Sequence, residues 1–314
     1  MMISAVIPAY NEEESLEAFY KVLVTNLIRA DKNYEIVFVD DGSTDKTLKI
    51  LKNLELKNKN VKVYSFRKNK GKAEALTVGF QKAKGDLIVT LDADLQDRPE
   101  EIENLIKKQK EGFDLVAGWR KNRKDALKTK ISSKLFNFLM GAFWGVKLHD
   151  YNCGLKLYTK DAAQSLNLYG GMHRFIPLLV TEKGFTVTEL EVMHEKRKFG
   201  KSKYGFSKIF RDIPDMFTIL FLSKYAKRPL HFFLTIGGIT GTIGFFILIY
   251  LSILHFLGKT IGDRPLLLFG ILLVLAGFQV LFTGFLADLI LHISEKNNEN
   301  NFEKEFKYQT TKSS

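Results

Sequence analysis

Several residue types and signals are scarce in this sequence, and each absence narrows what the protein can be. Cys153 is the single cysteine among 314 residues, which excludes an intrachain disulfide and fits a reducing compartment. The chain does not open with a charged segment followed by a long apolar stretch, so we expect no signal peptide. His149, His173 and His194 are spread along the sequence and form no recognisable metal site.

The net charge of +12 indicates an anionic partner. The sequence has no repeat of aromatic and basic residues and no nucleic-acid-binding motif, so we expect no nucleic acid partner. Anionic lipid headgroups and phosphate-bearing substrates fit the charge better, because the chain also contains two runs long enough to cross a membrane.

Charged residues are almost absent from two runs near the C-terminus, residues 232–257 and 266–287. Each run exceeds the roughly 20 residues that a helix requires to cross the hydrocarbon core of a bilayer. The alternative is a pair of buried core helices, but uncharged runs of this length are rare in soluble folds. We therefore predict a two-helix transmembrane hairpin over residues 229–293.

The basic residues around this hairpin predict its orientation. Lys224, Lys227 and Arg228 precede the first run, whereas only Lys259 and Arg264 lie in the connection between the two runs. Under the positive-inside rule, the N-terminal part and both termini are then cytoplasmic.

A face of small residues lies on the first run, formed by glycines 237, 238, 241 and 244. Small residues let membrane helices approach each other closely. We therefore expect the protein to form a homo-oligomer.

The first 120 residues alternate between short β-branched runs and segments with helical spacing. The runs are ISAVIP, YEIVFVD, VKVYSF, DLIVTLD and DLVAGW, and in the first helical segment Leu16, Phe19, Tyr20, Leu23 and Leu27 share one face. Strands that are apolar throughout and alternate with helices are typical of a mainly parallel sheet covered on both sides. The fold class is therefore α/β.

Polar clusters follow four of the five predicted strands. AYNEEE follows the first strand, DDGSTD the second, DADLQD the fourth, and Arg120 the fifth. In open α/β sheets, ligands bind at the carboxyl ends of the strands. The sequence therefore predicts a binding site at this edge of the sheet.

Within DADLQD, Asp92 and Asp94 are two residues apart, so their side chains point to the same side of an extended segment. Oxygen ligands suit Mg²⁺ or Mn²⁺, which commonly keep few protein contacts and complete their shell with substrate phosphates. A bare Asp-x-Asp usually marks a solvated turn, but its position at a strand end favours a cation site.

Basic amphipathic stripes lie beyond the sheet region, over residues 127–142 and again over 206–221. Such helices ahead of membrane spans are typical of interfacial helices that lie on the bilayer, and the alternative is that they pack on the sheet domain. We assign residues 206–228 to amphipathic juxtamembrane helices, with a kink at Pro214. The polar tail, residues 294–314, is predicted to be disordered.

Six segments resemble the inverting family-two glycosyltransferases of the GT-A fold, in the order found there. They are IPAYNEEESL, VDDGSTDKT, KNKGKAEAL, LDADLQDRPEEI, GWR and RKFGKSKY. With two C-terminal spans, the chain resembles the polyprenyl-phosphate branch, the relatives of dolichyl-phosphate mannose synthase and of bacterial bactoprenol glucosyltransferases. The resemblance implies a Rossmann-like GT-A catalytic domain over residues 1–205. It also implies an enzyme that transfers a hexose, with inversion and with Mg²⁺ or Mn²⁺, from a nucleotide sugar such as UDP-glucose or GDP-mannose to a polyprenyl phosphate.

The resemblance further implies roles for residues that would hold the nucleoside. Pro8, Tyr10 and Glu12 would contact it, with Tyr10 offering an aromatic face near the base and a helix from about Glu12 presenting free amides. Asp41, or less favourably Asp40, would accept a hydrogen bond from the base.

The cation and the sugar would be held by the DADLQ segment. The resemblance implies that Asp94 and Gln96 ligate the cation. Asp92 and the backbone of Ala93 would lie against the ribose and the sugar.

Three basic residues would neutralise the diphosphate: Arg120, Arg197 and Lys203. If the reaction uses a general base, Asp150 is the candidate, although an acceptor phosphate is already anionic near neutral pH. The sequence departs from the family where a Gly-Phe-Arg-like segment reads Gly-Leu-Lys, which puts acceptor contacts by Lys156 in doubt because Arg and Lys differ in phosphate geometry.

Two other functions are compatible with the same fold. One is a membrane glycosyltransferase whose acceptor is a polysaccharide or a protein; two spans supply little channel, and no Gln-x-x-Arg-Trp segment is present. The other is a non-catalytic scaffold for lipid-sugar translocation, which would have no need to retain clustered buried carboxylates.

Overall fold

The computed structural model describes residues 1–121, 148–193, 225, 228–262 and 264–310, with side chains up to residue 293. The chain divides into two compact units, Met1–Asp215 and Met216–Ser314. The predicted amphipathic stripes over 127–142 and 206–221 lie outside the described residues.

Within the described part of the first unit, seven strands form a single sheet. The strands are β1 (Ile3–Ala9), β2 (Tyr34–Asp40), β3 (Val61–Ser65), β4 (Leu87–Thr90), β5 (Leu115–Trp119), β6 (Lys156–Thr159) and β7 (Val187–Glu191). Their order is β3-β2-β1-β4-β6-β5-β7, and β6 is antiparallel to both neighbours while every other pair is parallel. The mainly parallel α/β sheet is confirmed, and the five predicted strands are β1 to β5.

The sequence does not predict β6 and β7, and the reason is physical. β6 has only four residues and begins at a lysine, Lys156. The residues of β7 are half-buried or exposed, so this strand lacks the continuous apolar character of β1, β2 and β4.

The helices described in this unit are α1 (Leu16–Ala30), α2 (Thr47–Lys57), α3 (Lys72–Lys82), α4 (Ile102–Gln109), α5 (Lys160–Gln164) and α6 (Ile176–Glu182). The predicted apolar face of α1 is confirmed, because Leu16, Phe19, Leu23 and Leu27 are buried in the core against the sheet. Each such side chain contributes roughly 2 kcal/mol by removal of apolar surface from water.

A topological switch point lies between β1 and β4. From these two central strands the order runs in opposite directions, through β2 and β3 on one side and through β6, β5 and β7 on the other. The last pair between β1 and β4 is Val6 with Thr90, and both chains continue beyond it. Open α/β sheets bind ligands in the crevice that forms at such a point.

The described part of the second unit contains α7 (Pro229–Phe256) and α8 (Pro265–Thr310). The helical segments Pro229–Phe256 and Pro265–Ile293 are long and apolar enough to cross a membrane. Only 11% of the most apolar window of each is buried, in contrast to the core helices of a soluble fold. The two predicted apolar runs therefore form helices that could span a membrane, joined by a turn in which Gly258 has a left-handed backbone with φ of 78°.

In the C-terminal tail, residues 294–310 continue α8 as helical backbone. This stretch is rich in Glu and Lys, which have high helix propensity, so a polar composition alone did not exclude a helix.

Glycines bring the backbones of α7 and α8 into contact. A Cβ atom on Gly277 would lie 2.6 Å from the amide nitrogen of Gly241 and 2.7 Å from the carbonyl oxygen of Gly237. A Cβ on Gly244 would lie 2.8 Å from the carbonyl oxygen of Gly270. Glycines 237, 241 and 244 of the face from which we expected self-association therefore pack against the second helix of the same chain, and they give no support for an oligomer.

We predict that Gly277→Ala destabilises this hairpin, because the added methyl group meets backbone atoms that cannot rotate away. Overpacking of this kind costs about 1–3 kcal/mol. The measurement is the thermal melting of the full-length protein in detergent. Gly238→Ala is the matched control, since nothing lies within 4 Å of a Cβ at that position. Equal melting temperatures for the two variants would contradict the packing described for Gly277.

Candidate active site

The acidic turn after β4 is buried where the chain leaves the switch point. Ala93, Asp94 and Asp97 are each 6% exposed or less. Leu95 has a left-handed backbone with φ of 61°, which is uncommon for a residue other than glycine and is often found at functional sites. The Asp94 carboxylate accepts the backbone N–H of Gln96 at 3.1 Å across this turn.

Gly154 lets a second segment close over these carboxylates. A Cβ atom on Gly154 would lie 2.5 Å from a carboxylate oxygen of Asp97 and 2.9 Å from the carboxyl carbon of Asp92. The carbonyl of Gly154 accepts a hydrogen bond from the hydroxyl of Thr90, at the end of β4, at 2.8 Å. The carboxylates of Asp92 and Asp97 therefore both lie against the backbone just before β6.

Lys72, the first residue of α3, forms an ion pair with Asp92. Burial alone would raise the pKa of Asp92, but the charge of Lys72 and its hydrogen bond outweigh burial and lower the pKa. Asp92 is therefore ionised in the folded protein at neutral pH.

Asp97 has the opposite behaviour. Burial and the neighbouring carboxylate of Asp92 raise the pKa of Asp97 to about 7, even though the guanidinium of Arg120 acts to lower it. Because burial and Asp92 oppose the ionisation of Asp97, additional positive charge beside this carboxyl group would be stabilising.

Arg120, directly after β5, is paired with Asp150. Its Nε and Nη2 atoms lie 2.7 and 3.0 Å from the two carboxylate oxygens of Asp150. The two side chains are 10% and 5% exposed. Because both oxygens of Asp150 accept from Arg120, this geometry makes Asp150 a positioning partner for the guanidinium and does not support the expected role as a general base.

Asp41 anchors the loop that leads to Lys72. Its carboxylate accepts the backbone N–H groups of Lys70 at 2.7 Å and Gly71 at 3.0 Å, and the side-chain amide of Asn69 at 3.0 Å. Asp41 is 4% exposed, and burial raises its pKa although these hydrogen bonds act to lower it. This geometry does not support the expected role of Asp41 as an acceptor for the base.

The segment after β1 also differs from expectation. Pro8 lies within β1 and Tyr10 directly after it, both half-buried. α1 starts at Leu16, not at about Glu12. Amides in this segment are occupied by side chains of the loop before α2 and of its first residue. The N–H of Glu12 donates to the hydroxyl of Thr47 at 2.8 Å, and the N–H of Asn11 donates to the hydroxyl of Ser43 at 3.0 Å.

Among the described residues, no three His, Cys, Asp or Glu side chains are placed to hold a metal ion by themselves. The oxygen donors Asp92, Asp94 and Gln96 nevertheless suit a hard cation such as Mg²⁺, which takes one or two carboxylates together with substrate phosphates. The raised pKa of Asp97 is consistent with a cation beside these groups. Arg197 and Lys203, which we expected to contact the diphosphate, lie outside the described residues.

Sequence reasoning did not assign Lys72, Asp97 or Gly154 to the site. Signals for two of them were present in the segments that carry the resemblance, since Lys72 follows Gly71 in KNKGK and Asp97 ends DADLQD. The contact of Gly154 with Asp97 joins segments 57 residues apart, and no local spacing indicates it.

An Asp-x-Asp turn at the switch point of a mainly parallel sheet, with basic side chains around it, is the arrangement of a GT-A glycosyltransferase. The family model for glycosyl transferase family 2 matches residues 4–166, which are 163 of the 314 residues. The chain belongs to this family.

Relatives are similar to the chain over both units. A dodecaprenyl-phosphate galacturonate synthase of Rhizobium johnstonii is 39% identical over 294 residues, which cover 92% of this chain and 87% of the relative. An undecaprenyl-phosphate 4-deoxy-4-formamido-L-arabinose transferase of Proteus mirabilis is 33% identical over 291 residues, which cover 92% of this chain and 88% of that protein.

Solved structures support the fold. The glucosyl-3-phosphoglycerate synthase of Mycobacterium tuberculosis, in complex with Mn²⁺ and UDP-glucose, superposes with a TM-score of 0.52. It is 20% identical, and the match covers 70% of this chain and 78% of that one. At this identity, the similarity establishes the GT-A fold and nothing finer.

We predict that Asp97 makes the stability of the metal-free protein fall as the pH rises from about 4 to about 7. The folded protein keeps a proton on Asp97 up to a pKa of about 7, whereas an unfolded chain releases it near 3.8. Between these values the folded state binds more protons, so raising the pH favours unfolding. Asp97→Asn cannot ionise and should remove this loss.

The measurement is thermal melting in detergent and EDTA at pH 5 and pH 8. The gain in melting temperature of Asp97→Asn over the wild type should be larger at pH 8, by roughly 2–4 °C for each kcal/mol recovered. Asp161→Asn, at an exposed position on α5, is the control and should show no such difference. The same gain for Asp97→Asn at both pH values would contradict the assignment.

Proposed function

We propose that this protein transfers a sugar from a nucleoside diphosphate sugar to a polyprenyl phosphate, with inversion at the anomeric carbon and with Mg²⁺ or Mn²⁺. The observation that carries the proposal is the Asp-x-Asp turn at the switch point, in which Asp94 is buried, with Lys72 and Arg120 beside the turn. The family to which the chain belongs supports the reaction type.

The acceptor is proposed from the relatives. Two proteins similar to 92% of this chain are named for transfer to dodecaprenyl and undecaprenyl phosphate. The helices α7 and α8 could hold the catalytic unit at a membrane, where such a lipid would be found. The sugars in the two names differ, being galacturonate and a formamido-arabinose, so the names do not fix the sugar for this chain.

The donor is proposed to lie across the crevice between β1 and β4. Pro8, Tyr10 and Glu12 would hold the nucleoside from the β1 side, and Asp92 with the backbone of Ala93 would face the ribose and the sugar from the β4 side. Asp41 would act indirectly, by fixing the loop that places Lys72.

Asp94 and Gln96 are proposed to hold the divalent cation, with Asp92 alongside. When bound, the cation would offset the negative charge of the diphosphate. The backbone N–H of Gln96 donates a hydrogen bond to one carboxylate oxygen of Asp94, across the turn in which Leu95 has a left-handed backbone. This hydrogen bond would hold the carboxylate in position for the cation.

In the proposed reaction, a phosphate oxygen of the lipid attacks the anomeric carbon, and the nucleoside diphosphate leaves. Charge builds on the leaving group, and preorganised positive groups stabilise it, usually the largest single contribution to catalysis. Arg120, held by Asp150, would be one such group, with Arg197 and Lys203 from the later loop. The attacking phosphate is already an anion, so no general base is required.

The membrane orientation is also part of the proposal. Lys224, Lys227 and Arg228 before the first span support a catalytic unit and termini on the cytoplasmic side. Nucleotide sugars are proposed to reach the site from that side.

We predict that Asp94→Asn abolishes sugar transfer while membrane insertion stays unchanged. The amide keeps the shape of the side chain but removes the charge that holds the cation, and a loss of at least about 100-fold is expected for a group of this kind. Asp86→Asn, at the opposite end of β4, is the matched control and should retain activity.

The assay mixes membranes that contain the protein with radiolabelled nucleotide sugars and undecaprenyl or dolichyl phosphate, and then extracts the lipids. Label should enter the organic phase only with Mg²⁺ or Mn²⁺. Label in polymer or protein would indicate the acceptor alternative, and no transfer from a full donor panel would indicate a scaffold. Full activity of Asp94→Asn would refute the metal assignment.

A further inference from the structure

A small cavity adjoins the sugar-facing side of the acidic turn. Its volume is about 10 Å³, and its lining includes Pro8, Lys72, Asp92, Lys156, Tyr158 and His173. A space of this size takes about one water molecule, or one small polar group of a ligand. Its lining contains two lysine side chains and one carboxylate, that of Asp92.

Lys156 is the most unusual group in this lining. It is 3% exposed, and its ammonium group donates to the backbone carbonyl of Cys153. No carboxylate of the described residues lies within 4 Å of it, and burial together with the charge of Lys72 lowers its pKa. A buried ammonium group without a close counter-ion is costly, so its place next to a cavity requires an explanation.

His173 adds a polar atom that is also unsatisfied. Its Nδ1 atom is buried and has no hydrogen-bond partner within the described part of the chain. Burial lowers the pKa of His173 to about 3, so the ring is neutral at pH 7 and can donate a hydrogen bond from one nitrogen. Lys72, Lys156 and His173 therefore bring two amino groups and a ring nitrogen around one small space, where a bound anion would favour the charged form of Lys156.

We propose that this cavity is a subsite for a carboxylate group carried by the donor sugar, so that the donor is a nucleotide uronic acid. The inference rests on the proposed function and adds the chemical class of the sugar. Lys156 and Lys72 supply the charge that a carboxylate requires, and His173 supplies a hydrogen bond. A neutral sugar with a hydroxymethyl group would leave Lys156 uncompensated.

The proposed reaction also brings the diphosphate of the donor and the phosphate of the acceptor to the site. The diphosphate is assigned to the cation held by Asp94 and Gln96, so the acceptor phosphate is the competing anion. Asp92 lines the cavity, and its carboxylate would repel a doubly charged phosphate more than a singly charged carboxylate.

The test compares matched donors with the full-length protein in detergent and an excess of undecaprenyl phosphate. UDP-glucuronate is paired with UDP-glucose, UDP-galacturonate with UDP-galactose, and GDP-mannuronate with GDP-mannose. The wild type should prefer a uronate over its neutral partner by about 30-fold or more in kcat/KM. Lys156→Met should bring that ratio close to one, mainly through a higher KM for the uronate.

Lys160→Met is the control, because Lys160 lies four residues further on, at the start of α5 and outside the cavity, and it should keep the preference. A wild type that prefers neutral donors would overturn the inference, as would a Lys156→Met variant that slows both donors equally. A higher KM for the lipid phosphate with an unchanged donor ratio would assign the subsite to the acceptor instead.

Calorimetric titration of the wild type with the same nucleotide sugars separates this inference from the proposed function. If no donor gives lipid product, the proposed function fails, but tighter binding of a uronate than of its neutral partner would still support the subsite. Equal or weaker binding of the uronates would overturn it. The wild-type titration also decides the question if Lys156→Met does not fold.

Discussion

Negative charge packed into the end of a buried strand is the constraint on which the catalytic unit depends. Asp92, Asp94 and Asp97 lie within a segment of six residues shortly after β4, and carboxylates this close repel one another unless positive charge is brought to them. The fold brings that charge from distant parts of the chain, with Lys72 at the start of α3 and Arg120 at the end of β5. The switch point between β1 and β4 is where these elements meet. The same groups therefore stabilise the turn, and we propose that they also allow it to bind a diphosphate with its cation.

A second set of residues holds these charges in place. The carboxylate of Asp41 accepts hydrogen bonds from backbone N–H groups of the loop before Lys72. Asp150 holds Arg120 through a bidentate ion pair. Gly154 contributes by having no side chain, because any Cβ there would meet the carboxylates. Positioning of this kind allows electrostatic stabilisation without reorganisation during the reaction. Asp41, expected to contact the nucleobase, and Asp150, the candidate general base, thus both make hydrogen bonds that hold neighbouring parts of the site.

The sequence predicted the parts of this architecture that depend on local pattern. β1 to β5 are the five apolar, β-branched runs that the sequence predicts, and polar clusters follow four of them. The start of α1 was placed one turn too early, because Glu12 is held by Thr47 and not by a helix. The pairing of Arg120 with Asp150 joins residues 30 apart, and no spacing rule encodes such a contact. Likewise, the burial of Lys156 in β6 becomes visible only when the antiparallel strand is in place.

Binding of Mn²⁺ in the presence and absence of a nucleoside diphosphate tests most directly whether these carboxylates hold a cation that carries a diphosphate. The described residues contain no group of three His, Cys, Asp or Glu side chains that could hold the ion by themselves. Without a nucleotide, the purified protein should therefore bind Mn²⁺ weakly. When UDP or GDP is added, the electron paramagnetic resonance spectrum should show one immobilised Mn²⁺ ion per chain. The diphosphate should be required, because it supplies the remaining oxygen ligands. A spectrum of free Mn²⁺ that stays unchanged at saturating UDP and GDP would contradict this assignment.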